Sequence, residues 1–306
     1  MNQKQDTILI DSSNLLHRAV WITENTRTNV DPAYIFLTSV RKYVNMFSCK
    51  NVFSIWDKRL TRGIKNYRRL AKRVEYKGTR DEKKNAQVFS HEDKTTELLQ
   101  CLGVKNMYPN ILEADDVISW LSNEIPGKTV IVSVDQDMLQ LIREDVMVYS
   151  PIKDVIIDHQ NFEEIVGVPI SQFLRYKSLM GDKSDNLPGL TKCGPKTAKK
   201  YVTNYPDDQL LVENLGQEKL EPYFFNKRMI DLKQGLIEHP EEEPVYSDQY
   251  NRIKDIKPDF DKFISTCRQN NMNNVVNNEM DWRSAFTDTN IESRLQDIVN
   301  SLEMSK

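Results

Sequence analysis

The chain has 306 residues, of which 39% are hydrophobic and 28% charged; that length is ample for one large core or two smaller ones. It contains no apolar run of membrane-spanning length, and no basic region followed by an apolar stretch at its start, so neither a membrane span nor a signal peptide is expected. Lys and Arg number 42 against 45 Asp and Glu, a net charge of −3, which taken whole argues against a partner held by charge alone. The four cysteines, Cys49, Cys101, Cys193 and Cys267, lie far apart, which excludes a Cys-x-x-Cys zinc site and a disulfide framework and fits reduced thiols in a cytoplasmic protein.

Taken in chain order, three apolar runs each end in an acid: Thr7–Ile10 before Asp11, Val52–Trp56 before Asp57, and Thr129–Val134 before Asp135, with Asp137 two residues on. Continuous β-branched runs of this length predict strands buried on both faces. Helical patterns at Ala33–Met46 and Asp115–Asn123 lie between them, and alternation of this kind predicts an α/β fold, a parallel sheet flanked by helices. Such a sheet keeps its site at the carboxyl ends of its strands, so each strand delivers a carboxylate to one edge. After the first two strands, Lys58–Lys84 holds twelve Lys or Arg against three acids, a local charge of +9. Its position beside a site-bearing strand favours contact with phosphate over a merely solvated helix.

Further on, Val146–Tyr149 and Asp154–Ile157 predict an edge hairpin, and Ser171–Met180 a helix leading into Gly181-Asp182-Lys183-Ser184-Asp185. From about Pro169 the chain is expected to be mainly helical, a second module. Asn270–Asn278 reads as a loop, and Ile291–Leu302 as an amphipathic helix.

The acids carry a chemistry. Glu113, Asp115 and Asp116 open a helix, where one or two acids merely match its dipole. Three of them beside a sheet edge bearing Asp11, Asp57 and Asp135 would repel unless cations neutralise them. Oxygen ligands without His or Cys suit magnesium or manganese, and a pair of such ions is suited to hydrolysing a phosphodiester. Asp182 and Asp185 either complete a second ion site or cap a helix. The stretch Gly189–Lys200 brings Gly194 before Pro195, a glycine-bearing turn opening a helix, with Lys196, Lys199 and Lys200 close by. A turn of this kind grips a phosphate backbone without reading sequence.

Seven segments in this order (Ile10–Asn14, Trp56-Asp57, Glu75–Arg80, Glu113–Asp116, Ser133–Asp137, Gly181–Asn186 and Gly194–Ala198) resemble the flap endonuclease and 5′-to-3′ exonuclease family in its small, free-standing phage form. The resemblance spans about Ile8 to Leu232. It implies a PIN-like, Rossmann-like nuclease domain over residues 1–168 that includes a basic helical arch at about 58–98. It further implies a helical DNA-binding domain over 169–262 with a helix–three-turn–helix motif at about 181–205, and leaves 263–306 as a C-terminal tail with a partner-binding helix. Two Mg2+ or Mn2+ ions are implied, the first served mainly by Asp11, Asp57, Glu113, Asp115 and Asp116, the second by Asp135, Asp137, Asp182 and Asp185. Lys77 and Arg80 would face the scissile phosphate; Tyr76 would either stack on a terminal base or pack within the arch. Arg62, Arg69, Arg73, Lys83, Gly189, Lys192, Gly194, Lys196, Thr197, Lys199 and Lys200 are the implied DNA contacts. The family's second glycine in this turn falls on Lys192, which puts its K+ site in question and offers phosphate another cation.

The implied activity is a structure-selective 5′ nuclease of a monomer, removing RNA primers and 5′ flaps during phage lagging-strand replication in the host cytoplasm. Branched or flapped DNA and RNA–DNA duplex are the implied partners, with a single-stranded-DNA-binding protein and a sliding clamp beside them. Two rivals stay open: a non-catalytic binder of branched DNA, opposed by the presence of all nine carboxylates, and a PIN-type single-strand ribonuclease, opposed by the duplex-gripping turn.

Overall fold

The computed structural model describes residues 4–26, 30–58 and 82–287, with side chains in the last span from Val88 onward. Most of the arch, with Arg62, Arg69, Arg73, Tyr76, Lys77 and Arg80, lies outside the described residues, as do the side chain of Lys83 and the helix expected from Ile291.

Six strands form one sheet: β1 (Thr7–Asp11), β2 (Val52–Ile55), β3 (Lys105–Met107), β4 (Thr129–Val132), β5 (Val146–Ser150) and β6 (Val155–Ile157), in the order β3-β2-β1-β4-β5-β6. All pairings are parallel except β5 with β6, which is the expected edge hairpin. Alternation along the strands feeds two layers. Ile8, Ile10, Val130 and Val132 pack to one side with α1 (Ser12–Thr26), α2 (Pro32–Phe47) and α3 (Glu82–Cys101). Leu9 and Ile131 pack to the other with α4 (Ala114–Glu124). β1 is central: the chain leaves it for β2 and β3 on one side and then returns to β4 on the other. The crevice for a site therefore opens above the carboxyl ends of β1 and β4.

Beyond α5 (Phe162–Val166), the second module begins with α6 (Ile170–Met180). A two-stranded ribbon, β7 (Gly181–Asp182) with β8 (Leu187–Pro188), comes next, and then α7 (Pro195–Asn204), α8 (Asp208–Leu215), α9 (Glu221–Ile230), α10 (Gln234–Glu238) and α11 (Glu242–Ile253). The ribbon is drawn tight against its own helix. Gly181 has φ +71°, and a Cβ on Gly189 would lie 2.1 Å from the Met180 carbonyl oxygen, so only glycine fits.

Two expectations need correction. The Asn-rich stretch is not a loop: it forms α13 (Asn273–Asn277), held by buried Met272 and Val275. Residues 263–287, assigned to a tail, lie in α12 (Phe260–Gln269), α13 and α14 (Glu279–Phe286), which return to the first layer and pack on α3 and α2. Trp282 is buried there beneath the Arg41 guanidinium, 4.5 Å from its ring, and 5.5 Å from Phe263. Apolar residues at helical spacing among many asparagines carry this layer, and the asparagines stay on the outside. Among the described residues, no helix is long and apolar enough to cross a membrane.

Candidate active site

Asp11 ends β1, buried in the crevice, and its Oδ2 accepts a 2.7 Å hydrogen bond from Ser133, just past β4. The same hydroxyl accepts from the Asp135 amide at 2.9 Å, and Asp135 Oδ1 accepts from the Asp137 amide at 2.8 Å. Ser133 thus fixes the acids of two neighbouring strands with one side chain. Asp57, two residues past β2, is positioned from both sides: its amide donates to Ser13 Oγ at 2.7 Å, and its Oδ1 accepts from the Ala114 amide at 3.0 Å. That second bond ties the strand edge to the start of α4, where Glu113 and Asp116 form a reciprocal capping box. Asp115 stands half-buried in the same first turn.

From the second module, Lys177 on α6 joins the set. Its ammonium pairs with Asp137 and lies 3.1 Å from Asp182 Oδ2. Asp182 Oδ1 in turn accepts from the Ser184 amide at 2.7 Å and the Asp185 amide at 3.4 Å, shaping the loop between β7 and β8. Contacts and charge coupling therefore run unbroken through Asp57, Asp11, Asp135, Asp137 and Asp182.

The electrostatics of this row favour added cations. Burial pushes Asp11 up to about 7, the Ser133 bond opposes that, and Asp57 and Asp135 add to it. Burial likewise pushes Asp137 up to about 7 against the pull of Lys177, with Asp135 and Asp182 adding to the rise. Burial and neighbouring carboxylates both disfavour the charged form, and a nearby cation would offset them. Their all-oxygen donor set fits hard divalent ions. Among the described residues, no three of these side chains converge closely enough to enclose an ion as they stand. As they stand, Asp57, Asp135, Asp182 and Asp116 each accept from a backbone amide.

Asp116 stands in the first turn of α4. It is fully buried, its Oδ2 accepts from the Glu113 amide at 3.0 Å, and a Cβ on Gly235 of α10 would lie 2.4 Å from its Oδ1. It caps its helix beneath the second module. Lys177 was missed because a lysine within an amphipathic helix reads as solvated; its place one turn before Gly181-Asp182 was the available signal.

The turn after β8 lies exposed. Lys192 has φ +60°, so the turn keeps a left-handed residue where glycine would be unstrained. Gly194 is the N-cap of α7 without a side-chain bond, Pro195 opens the helix, and Lys196, Lys199 and Lys200 stand exposed on its first turns, with Thr197 half-buried. Three ammonium groups at a helix start are an arrangement suited to an anion.

Comparison with known proteins fits this geometry. Residues 6–167 match the family model of the 5′-3′ exonuclease N-terminal resolvase-like domain, and residues 168–262 that of the 5′-3′ exonuclease C-terminal SAM fold. A 5′-3′ exonuclease of Buchnera aphidicola subsp. Schizaphis graminum is 28% identical over 229 residues, 72% of this chain and 78% of that protein. DNA polymerase I of Caldicellulosiruptor bescii is 28% identical over 272 residues, 80% of this chain but 31% of the polymerase. The T5 5′-exonuclease with bound zinc superposes with a TM-score of 0.66 at 21% identity, covering 82% of this chain and 99% of that one. A T5 flap endonuclease pseudo-enzyme–product complex with DNA and metal ions gives a TM-score of 0.66 at 21% identity, covering 82% and 98%. At that identity the structural likeness establishes the fold.

Proposed function

The chain belongs to the 5′-3′ exonuclease family, whose members hydrolyse phosphodiester bonds, and from that premise we propose that it is a structure-selective, divalent-metal-dependent 5′ nuclease. It acts as a 5′-3′ exonuclease and flap endonuclease and removes RNA from RNA–DNA duplex, clearing primers and 5′ flaps in phage lagging-strand replication and repair. One observation carries the reading: acids from three strand ends and from the second module, Asp11, Asp57, Asp135, Asp137 and Asp182, form one connected row at the sheet edge.

Asp11, Asp57, Glu113, Asp115 and Asp116 would hold one Mg2+ or Mn2+. Asp135, Asp137, Asp182 and Asp185 would hold the other. When bound, such ions supply Lewis-acid activation of water and charge stabilisation of the leaving oxygen. The chain's own residues do the rest. Ser133 and Ser13 orient the strand-end acids, while Lys192, Lys196, Lys199, Lys200 and the amides around Gly194 seat the duplex backbone. Lys77 and Arg80 face the scissile phosphate, Tyr76 meets a terminal base, and Arg62, Arg69, Arg73 and Lys83 guide the 5′ strand. A single-stranded-DNA-binding protein, a sliding clamp, a K+ ion at the turn and a cytoplasmic setting for the monomer belong to the same proposal.

The test is cleavage of a 5′-labelled flap, a nicked duplex and a single strand, each with and without Mg2+, by wild type and Asp135→Ala. Wild type is expected to cut the flap and the nicked duplex only with Mg2+, and the variant to lose at least a hundredfold in rate. Undiminished cleavage by the variant would overturn the metal assignment, and cleavage of the single strand alone would favour a single-strand ribonuclease.

A further inference from the structure

Lys177 has no task in the proposed reaction, yet it sits in the middle of the acids. It is 5% exposed. Its ammonium bridges Asp137, from the loop after β4, and Asp182, from the ribbon of the second module. Burying an ammonium is unfavourable unless carboxylates surround it. Burial alone would lower its pKa; Asp137, Asp135 and Asp182 outweigh burial and hold it above the ordinary lysine value. The acids at the other end of the row are different: among the described residues, no Lys or Arg forms an ion pair with Asp11, Asp57 or Asp135.

We propose that the Lys177 ammonium is a built-in occupant of the cation position between Asp137 and Asp182, so that a divalent ion drawn to that pair competes with it. This rests on the metal-dependent reading of the same site and deepens it. A competing cation makes the two ion positions unequal. Among the described residues, no ammonium or guanidinium is paired at the end with Asp11 and Asp57, whereas the end at Asp137 and Asp182 has two carboxylates already sharing one positive charge. It also gives the metal-free protein a way to hold its two domains together across an otherwise repulsive seam.

Mn2+ binding to metal-stripped protein, measured by calorimetry, tests this without any turnover. Wild type should show a tighter and a weaker class of ion. Lys177→Met should tighten the weaker class by about tenfold or more, leave the tighter class within about twofold, and melt lower than wild type without metal. Lys177→Arg, which keeps the charge, should keep the wild-type constants. Should Lys177→Met fail to fold, wild type alone decides: Lys177 is expected to resist amine acylation without metal and to become labelled at saturating Mg2+, read by peptide mass spectrometry. Two ions bound with constants indifferent to Lys177→Met, or a Lys177 still protected at saturating Mg2+, would overturn the proposal alone. A wild type that binds no Mn2+ would take down the metal reading itself.

Discussion

Gly189 and Gly194 stand five residues apart in one turn, and they are glycine for different reasons. At Gly189 the chain itself forbids a side chain, because the Met180 carbonyl oxygen would lie 2.1 Å from a Cβ. At Gly194, among the described residues and apart from its chain neighbours, no atom lies within 4 Å of where a Cβ would go, and its backbone is extended. If the empty space at Gly194 is where a phosphate approaches, Gly194→Ala should melt as wild type yet bind a nicked duplex about tenfold more weakly, about 1.4 kcal/mol. Gly189→Ala should instead lower stability by about 1–3 kcal/mol or more, through a forced shift of the ribbon. Thermal melts paired with fluorescence anisotropy separate the two; a binding defect in Gly189→Ala alone would refute the phosphate role of Gly194. At this scale much of the site was legible in the sequence, since few residue types hold hard ions and the strand ends announce where they gather. The use made of each acid was not legible. The bond from the Glu113 amide to Asp116 is one such use, and the pairing of Lys177 with Asp137 and Asp182 forms only in the tertiary structure, with its place one turn before Gly181-Asp182 the one local sign.

Between residues and the whole lie the elements, and the second module is tied at one carboxylate. Asp208, at the start of α8, accepts from Arg175 Nε of α6 at 2.8 Å and from Tyr223 Oη and Lys227 Nζ of α9, both at 2.5 Å. Burial would raise its pKa; the three hydrogen bonds outweigh burial and pull it down to about 2. A carboxylate whose folded pKa is depressed stabilises the fold above its unfolded value near 4 and loses that contribution as pH falls toward 2. Because the group is partly exposed, the stabilisation is on the order of 1 kcal/mol after screening. Asp208→Asn should therefore melt about 2–4 °C below wild type at pH 7, and urea titrations should show the gap closing as pH falls from about 4. A gap that persists unchanged at pH 3 would mean that packing around Tyr223 carries the tie. Elements were uneven in what they disclosed. The long buried strands and the edge hairpin followed from apolar runs, but β3 did not. It is three residues, Lys105-Asn106-Met107, with no apolar run to mark it. Tertiary partners make it a strand: Asn106 Oδ1 accepts from Trp56 Nε1 at 3.0 Å, and the buried Lys105 ammonium lies 5.4 Å from the Phe53 ring.

For the molecule as a whole, net charge is a poor guide and the layer structure a better one. The total of −3 conceals a +9 segment, and two divalent ions would carry the working protein past neutral, to +1. The family match ends at residue 262, which would be a natural place to truncate a chain whose remaining residues formed a free tail. The buried set Phe263, Ile264, Cys267, Met272, Val275, Trp282 and Phe286 argues otherwise, because removing it strips the cover from α2 and α3 and exposes the first core layer. A chain ending at residue 262 is therefore expected to lose its cooperative melt or to melt more than about 10 °C below full length, since the lost burial far exceeds a single large-to-small change. Trp282→Ala is the milder version. It removes one buried ring and its contact with Arg41, for about 3–5 kcal/mol, while sitting in the layer behind the sheet rather than at the strand ends. Its Mn2+ binding at low temperature should match wild type even as its melt falls. If residues 263–287 only recruited a partner, both variants would melt as wild type and lose that partner alone, and α12, α13 and α14 would have no part in holding the fold together.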